Sequence, residues 1–307
     1  MPYNYYPLIR GRQFDLLALQ HILLSTKHII PIIEPVKAIP TLKKTLRLLL
    51  PKKQVGWIEN PLVGQYGLQP SAQQQLPTTK LRQQPNLKSV YYFDQRNCDS
   101  TNVNTNQTYV ICQNYTYLNA HQQQLSQWSP QAVIIPDEAR FRQLLQHTQL
   151  PQISLSDPFH YEADLGEYLD QPDEHFTWAP YLGRLRPYQI GFSDYAISGA
   201  YYSDVGAPKT RQAIHLTYRG PAGDIRMHHF VSFDDGQLFA QKEKFLDLLT
   251  QLRHFVAAHR SEIQLTAPLQ QLLYHFEITK NPGFGTVKRL LLAHHLRVID
   301  QTLDQIN

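Results

Sequence analysis

Short apolar runs, rich in β-branched and aromatic residues, recur along the chain, and each ends in a carboxylate or an amide before the sequence turns polar. They are His28–Glu34 (HIIPIIE), Gln54–Asn60 (QVGWIEN), Ser89–Asp94 (SVYYFD), Thr108–Gln113 (TYVICQ), Ala132–Asp137 (AVIIPD), Gln152–Asp157 (QISLSD) and Gln189–Asp194 (QIGFSD). Runs that stay apolar rather than alternating belong to strands covered on both faces. Between them the spacing becomes helical, over Thr41–Leu50 behind a Thr cap, Leu118–Trp128, and Glu138–His147 behind Asp137 as cap. An amphipathic helix, Phe14–Leu24, precedes the first run. An eighth strand, Ala213–Tyr218, pairs with Ile225–Ser232 as a hairpin across the turn Gly220–Asp224.

Strand alternating with helix implies parallel crossovers. Seven or eight such units, with no Gly-x-Gly-x-x-Gly opening a helix after the first strand, favour a ring over a doubly wound sheet. The expected fold is α/β: an irregular TIM-like (β/α) barrel with a C-terminal helical extension. Residues 1–236 form the barrel-like part. Residues 237–307 supply helices over Gln237–His259, Pro268–Phe276 and Thr286–Leu303, which pack on or close the barrel within a single domain.

Composition allows this. A chain of 307 residues with 42% apolar and 18% charged residues has ample surface to bury and none of the bias of disordered chains. No apolar run approaches the roughly 20 residues that span a bilayer, and no signal sequence opens the chain, so the expectation is a cytoplasmic protein without a membrane partner. Cys98 and Cys112 lack metal-ligand spacing and make no disulfide framework. The Gln- and Pro-rich stretch Gln69–Gln84 and the Asn- and Thr-rich stretch Asn97–Gln107 read as exposed loops.

In a parallel barrel the carboxyl ends of the strands share one face, and catalytic groups come from several of them. That rule gathers Glu34, Asn60, Asp94, Gln113, Asp137, Asp157 and Asp194 around one mouth. Several carboxylates in a small volume repel unless a cation neutralises them, and all-oxygen donors suit Mg²⁺ or Mn²⁺. The candidate catalytic groups are Glu34, Asp157, Asp194 and His228, with Glu34 and Asp194 as metal ligands. Arg10 and Arg12, with Asn60, Asp94 and Asp137, are the candidate ligand-binding groups, the arginines for phosphate. Asp and Asn after a strand are also the preferred cap and turn residues, which is the competing reading of the same pattern. His228 and His229 are adjacent on a strand and point to opposite faces. His294-His295 lacks metal spacing, and neither Ser156 nor Ser193 lies in a nucleophile motif.

Three segments carry a family likeness: Tyr5-Tyr6-Pro7-Leu8-Ile9-Arg10-Gly11-Arg12-Gln13-Phe14-Asp15-Leu16-Leu17-Ala18-Leu19, then Ile32-Ile33-Glu34-Pro35-Val36, then Asn60-Pro61-Leu62-Val63-Gly64. With Ile190–Tyr195, Ile197–Gly199 and the His228-His229 strand, the chain resembles the phage-type beta protein family, in its bacterial branch, over at least residues 3–232. The resemblance implies a component of a mobile-element-associated phage-defence system, often encoded beside a small nuclease-like protein.

No motif fixes a reaction. The leading expectation is a barrel whose acidic, Mg²⁺- or Mn²⁺-binding site takes a phosphate-bearing or nucleotide ligand. The first alternative is a non-catalytic partner of a nuclease-like protein, docking through Phe245, Leu248, Leu249 and Leu252 and through Leu292, Leu296, Ile299 and Leu303; the same spacing is expected of plain core. The second is nucleic-acid binding through Lys37, Lys43, Lys44, Arg47, Lys52 and Lys53, a stretch with no acid between Glu34 and Glu59.

Overall fold

The computed structural model describes residues 2–68, 76–94, 108–204, 209–238, 241–277 and 282–306. Cys98, the loop expected at Asn97–Gln107 and residues 69–75 of the loop expected at Gln69–Gln84 lie outside the described residues.

Nine strands form one curled, wholly parallel sheet: β1 (Asn4–Tyr5), β2 (Leu8–Arg10), β3 (Ile32–Glu34), β4 (Val55–Ile58), β5 (Leu87–Tyr92), β6 (Thr108–Ile111), β7 (Ala132–Pro136), β8 (Gln152–Leu155) and β10 (Gln189–Ser193). Every one of the seven apolar runs supplies a strand of this sheet. The strands lie side by side in the order β1-β10-β8-β7-β6-β5-β4-β3-β2. Most of their apolar side chains are buried, as at Ile32, Ile33, Val55, Ile58, Val110, Val133 and Ile134. Each such side chain contributes about 1.5–3 kcal/mol relative to exposure.

The apolar runs place the first strand within His28–Glu34, but strand pairing already precedes the first helix. Residues 4–10 pair on both sides. Tyr6 and Leu8 donate backbone N–H groups to the Phe192 and Asp194 carbonyls, at 2.8 Å each. On the other side Tyr5 donates to the His28 carbonyl at 2.9 Å, Ile30 to the Tyr5 carbonyl at 2.9 Å, and Ile32 to the Pro7 carbonyl at 2.8 Å. The first and last strands in the order, β1 and β2, are therefore parts of one continuous segment, divided only by Tyr6 and Pro7. Pro7 hid the strand, because proline cannot donate to a ladder. It is tolerated here because its carbonyl alone is used.

Helices Pro40–Leu49 and Ala139–Leu145 occupy the crossovers that the sequence assigns them, while Gln13–Ile22, expected ahead of the first strand, instead connects β2 to β3. The helix expected at Leu118–Trp128 is instead two, Tyr115–Ala120 and Gln122–Trp128, breaking at His121. Asn114 caps the first by accepting from the Tyr117 N–H at 3.0 Å. Asp137 does not act as a cap; Glu138 occupies that position without a side-chain capping bond.

The chain divides into two compact units. The first comprises Met1–Asp157, Ala179–Tyr195 and Thr302–Asn307, and the second Pro158–Trp178 and Ala196–Gln301. The hairpin β11 (Ala213–Arg219) and β12 (Ile225–Val231) forms as expected, but it does not supply an eighth strand to the parallel sheet. It belongs to the second unit and makes an antiparallel sheet with β9 (Asp173–Thr177), in the order β11-β12-β9. Ile214, Leu216 and Phe230 of this sheet pack with Phe245, Leu248, Leu249 and Leu252 of helix Gln241–Ala258, and with Leu269, Leu272, Val287 and Leu290. The apolar faces offered above for partner docking, from Phe245 through Leu252 and from Leu292 through Leu303, are thus buried within the chain. They are core.

Candidate functional site

Because every strand of the large sheet runs the same way, their carboxyl ends share one edge. Arg10 ends β2 and Glu34 ends β3, and their side chains form a buried ion pair. Glu34 is fully buried and also accepts from the Leu62 backbone N–H at 2.8 Å and the Tyr92 hydroxyl at 3.0 Å. A buried carboxylate persists only with such compensation. The Arg10 guanidinium lies 5.2 Å from the centroid of the Tyr195 ring, and the Tyr195 hydroxyl accepts from the Gln113 amide at 2.9 Å. Burial raises the Tyr92 and Tyr195 hydroxyls above the ordinary tyrosine value, so both remain neutral hydrogen-bonding groups.

Asn60, just beyond β4, donates to the Tyr92 carbonyl at 2.9 Å and accepts from the Tyr92 N–H at 2.9 Å. Its side chain extends the β4–β5 ladder past the end of β4. Arg10, Glu34, Asn60 and Gln113 are therefore joined into one network through Tyr92 and Tyr195.

Beside this network is a cleft of about 580 Å³, lined by Leu62, Tyr92, Phe93, Asp94, Ile111, Gln113, Asn114, Tyr115, Thr116 and Arg140. Leu62 follows β4, Tyr92–Asp94 end β5, Ile111–Asn114 end β6, and Arg140 follows β7. Leu62, Tyr92, Phe93, Ile111 and Tyr115 are its apolar and aromatic lining residues; Asp94, Gln113, Asn114, Thr116 and Arg140 supply polarity. The Arg140 guanidinium lies 5.2 Å from the centroid of the Tyr115 ring and pairs with Glu138. Tyr92 and Leu62 belong both to the cleft and to the Glu34 network, so Glu34 fixes the cleft wall from behind.

The other expected mouth residues are placed differently. Asp194 is buried and accepts from the Tyr5 hydroxyl, whose proton burial and the Asp194 charge hold far more tightly than usual. Asp137 is exposed and pairs with Arg142 at 2.6 Å and with Arg186. Asp157 and Arg12 are exposed, Arg12 preceding helix Gln13–Ile22. Glu34, the first metal candidate, has its charge met by Arg10. Among the described residues no three His, Cys, Asp or Glu side chains come together as a metal site.

No protein-family model, curated protein or solved structure matches this chain.

His228 stands in the antiparallel sheet of the second unit. Its Nδ1 lies 3.2 Å from Asp173 Oδ2, and its ring stacks on Phe255 with centroids 3.9 Å apart. Asp173 also accepts from the Tyr218 hydroxyl at 2.6 Å and from Arg226 Nε at 2.8 Å. Burial works against its charge, but the hydrogen bonds from His228, Tyr218 and Arg226 outweigh it and hold Asp173 below the usual carboxylate range. His228 reads as a brace in this cluster.

The adjacent His229 heads a chain of titratable groups that the sequence reading missed. Its Nδ1 lies 2.7 Å from His215 Nδ1, and its Nε2 lies 3.1 Å from Glu174 Oε1, while the second Glu174 oxygen meets the exposed His160. Loss of hydration lowers both His215 and His229, so both are neutral near pH 7. The signal was available: counting outward from the Gly220–Asp224 turn places His215 opposite His229, which is the observed register. The cleft aromatics gave no comparable signal, since Tyr92, Phe93 and Tyr115 look like any strand-end or helix residue.

Proposed function

We propose that the curled sheet is a closed, irregular (β/α) barrel and that the cleft at the carboxyl ends of β4–β7 binds a phosphate-bearing ligand of nucleotide type. Closure is supported by the pairing of residues 4–10 with both β10 and the β3 segment. One observation carries the binding reading: a cleft of about 580 Å³, with aromatic and polar walls, at the strand ends where parallel α/β sheets hold their ligands. Its volume falls in the range of small-ligand sites, roughly 300–1,000 Å³. Tyr115, half-buried at the cleft, offers ring surface to a base, Asp94 accepts from a ribose hydroxyl or a base N–H, and Arg140 is the cation for a phosphate. The likeness of Tyr5–Leu19, Ile32–Val36 and Asn60–Gly64 to the beta protein family supports placing this role in a mobile-element-associated phage-defence system.

The test is calorimetric titration with nucleoside mono-, di- and triphosphates, with and without Mg²⁺, against the wild type, Arg140→Gln and Asp94→Asn. Loss of a charge-assisted hydrogen bond is expected to weaken binding by roughly tenfold or more in each variant. Equal binding by the variants, or no binding by any nucleotide, rejects the reading.

A second reading, as a non-catalytic partner of a nuclease-like protein, is favoured by a different surface from the one first expected. Leu182, Leu185 and Tyr188 are 51%, 82% and 47% exposed on one short segment. Co-purification with a nuclease-like protein encoded beside this one, lost in Leu185→Glu, tests it.

A further inference from the structure

The chain carries 29 Lys and Arg against 25 Asp and Glu, a net charge of +4. Six of those cations lie between Glu34 and Glu59, where there is no acid; the remaining 23 face 25 acids, so the rest of the chain is at −2. The whole positive excess is concentrated in one crossover, the helix Pro40–Leu49 and its two flanks.

The fold turns this excess outward and leaves it unneutralised. Leu42, Thr45, Leu46 and Leu49 form the buried face of the helix. Lys37, Lys44, Arg47 and Lys52 are exposed and Lys43 is half-buried. None of these five makes an ion pair among the described residues. Elsewhere several cations are paired with acids, as in Arg82–Glu59, Arg142–Asp137 and Arg226–Asp173. Lys43, Lys44 and Arg47 fall within four positions and so project from neighbouring points of one surface. The helix is about 15 Å long, and Lys37 and Lys52 extend the row beyond both ends.

From this geometry we propose that the outer surface of Pro40–Leu49 is a sequence-independent nucleic-acid-binding surface, in which Lys37, Lys43, Lys44, Arg47 and Lys52 contact backbone phosphates. A row of uncompensated cations matches a polyanion with regularly spaced charge. An anionic membrane fits less well. A helix that lies in a bilayer interface inserts its apolar face, and here that face is buried against the chain's own core, with Leu48 its one exposed large apolar side chain. This surface is separate from the cleft, and its failure would leave the nucleotide reading untouched.

The experiment is fluorescence anisotropy with a labelled mixed-sequence DNA duplex and the matching single strand, titrated with full-length protein at several salt concentrations. Five neutralised phosphates give a slope of log affinity against log salt of about −4.5 on duplex, or a loss of roughly 500-fold between about 50 and 200 mM salt. Scrambling the sequence is expected to leave affinity unchanged. The triple variant Lys44→Glu/Arg47→Glu/Lys52→Glu is expected to abolish binding. Single Gln variants at the same positions, which spare the fold, are each expected to make the slope shallower by about 1. A flat salt dependence, Gln variants with the wild-type slope, or no binding to either polymer overturns the proposal. So does retention on phosphatidylserine vesicles that matches or exceeds that on nucleic acid at equal salt.

Discussion

Replacing Glu34 by Gln removes the charge that neutralises Arg10 while keeping nearly the same volume. Arg10 is only 8% exposed and Glu34 is fully buried, so water cannot substitute for the missing partner. Leaving one member of a buried pair uncompensated costs about 3–5 kcal/mol. Glu34 also accepts from the Leu62 N–H and the Tyr92 hydroxyl, and the Gln amide has a single oxygen for those two donors, so one of them loses its partner. The expected loss is therefore about 4 kcal/mol or more. With an m-value of about 2 kcal/mol per molar urea for a unit of this size, the unfolding midpoint falls by about 2 M. Tryptophan fluorescence in a Trp178→Phe background reads the first unit alone, through Trp57 and Trp128, and so avoids treating a two-unit chain as one transition. The second half of the test is the double variant Arg10→Met/Glu34→Leu. Exchanging both charges for apolar groups of similar volume is expected to recover the part of the loss that comes from the unpaired Arg10 charge, while the Leu62 N–H and the Tyr92 hydroxyl stay without their acceptor. A Glu34→Gln variant within about 1 kcal/mol of wild type would refute the reasoning, as would a double variant no better than the single one.

His294 and His295 give a pH prediction. Both are fully buried, held by hydrogen bonds to Thr217 and Thr266, and burial lowers them to about 4 and about 3. Below the ordinary histidine value of about 6.5 the unfolded chain takes up protons that the native state refuses, so stability falls as pH drops from there toward the native values. At about pH 5 each residue is expected to cost about 2 kcal/mol relative to neutral pH, measured by urea unfolding of the second unit; an unchanged midpoint contradicts it. Gly191→Ala places a Cβ 2.2 Å from the Asn4 carbonyl oxygen and 2.6 Å from the Tyr6 ring. It is expected to push residues 4–6 off β10 at a cost of about 1–3 kcal/mol, with faster amide exchange at Tyr6 and Leu8; protection like that of wild type speaks against the pairing described.

The sequence by itself determined what depends on local pattern. All seven apolar runs became parallel strands, because a run with no polar face has to be covered on both sides wherever it sits. The first long helix, the basic helix and the three C-terminal helices fell within a few residues of the expected spans, since helical spacing and caps are set by neighbours in the chain. The hairpin and the opposition of His215 to His229 follow from one turn in the same way.

Tertiary structure decided whatever depends on residues far apart in sequence. Segment 4–10 is a strand only because β10, some 185 residues later, and the β3 segment present carbonyls and N–H groups to it. In isolation its proline argues against a strand. The carboxylates of the expected mouth are alike in sequence, yet Glu34 received an arginine, Asp194 a tyrosine and Asp137 two surface arginines, while Asp94 alone among them lines the cleft. A carboxylate's chemistry is set by the donors and the water around it, and those neighbours are chosen by how the strands order themselves in the sheet.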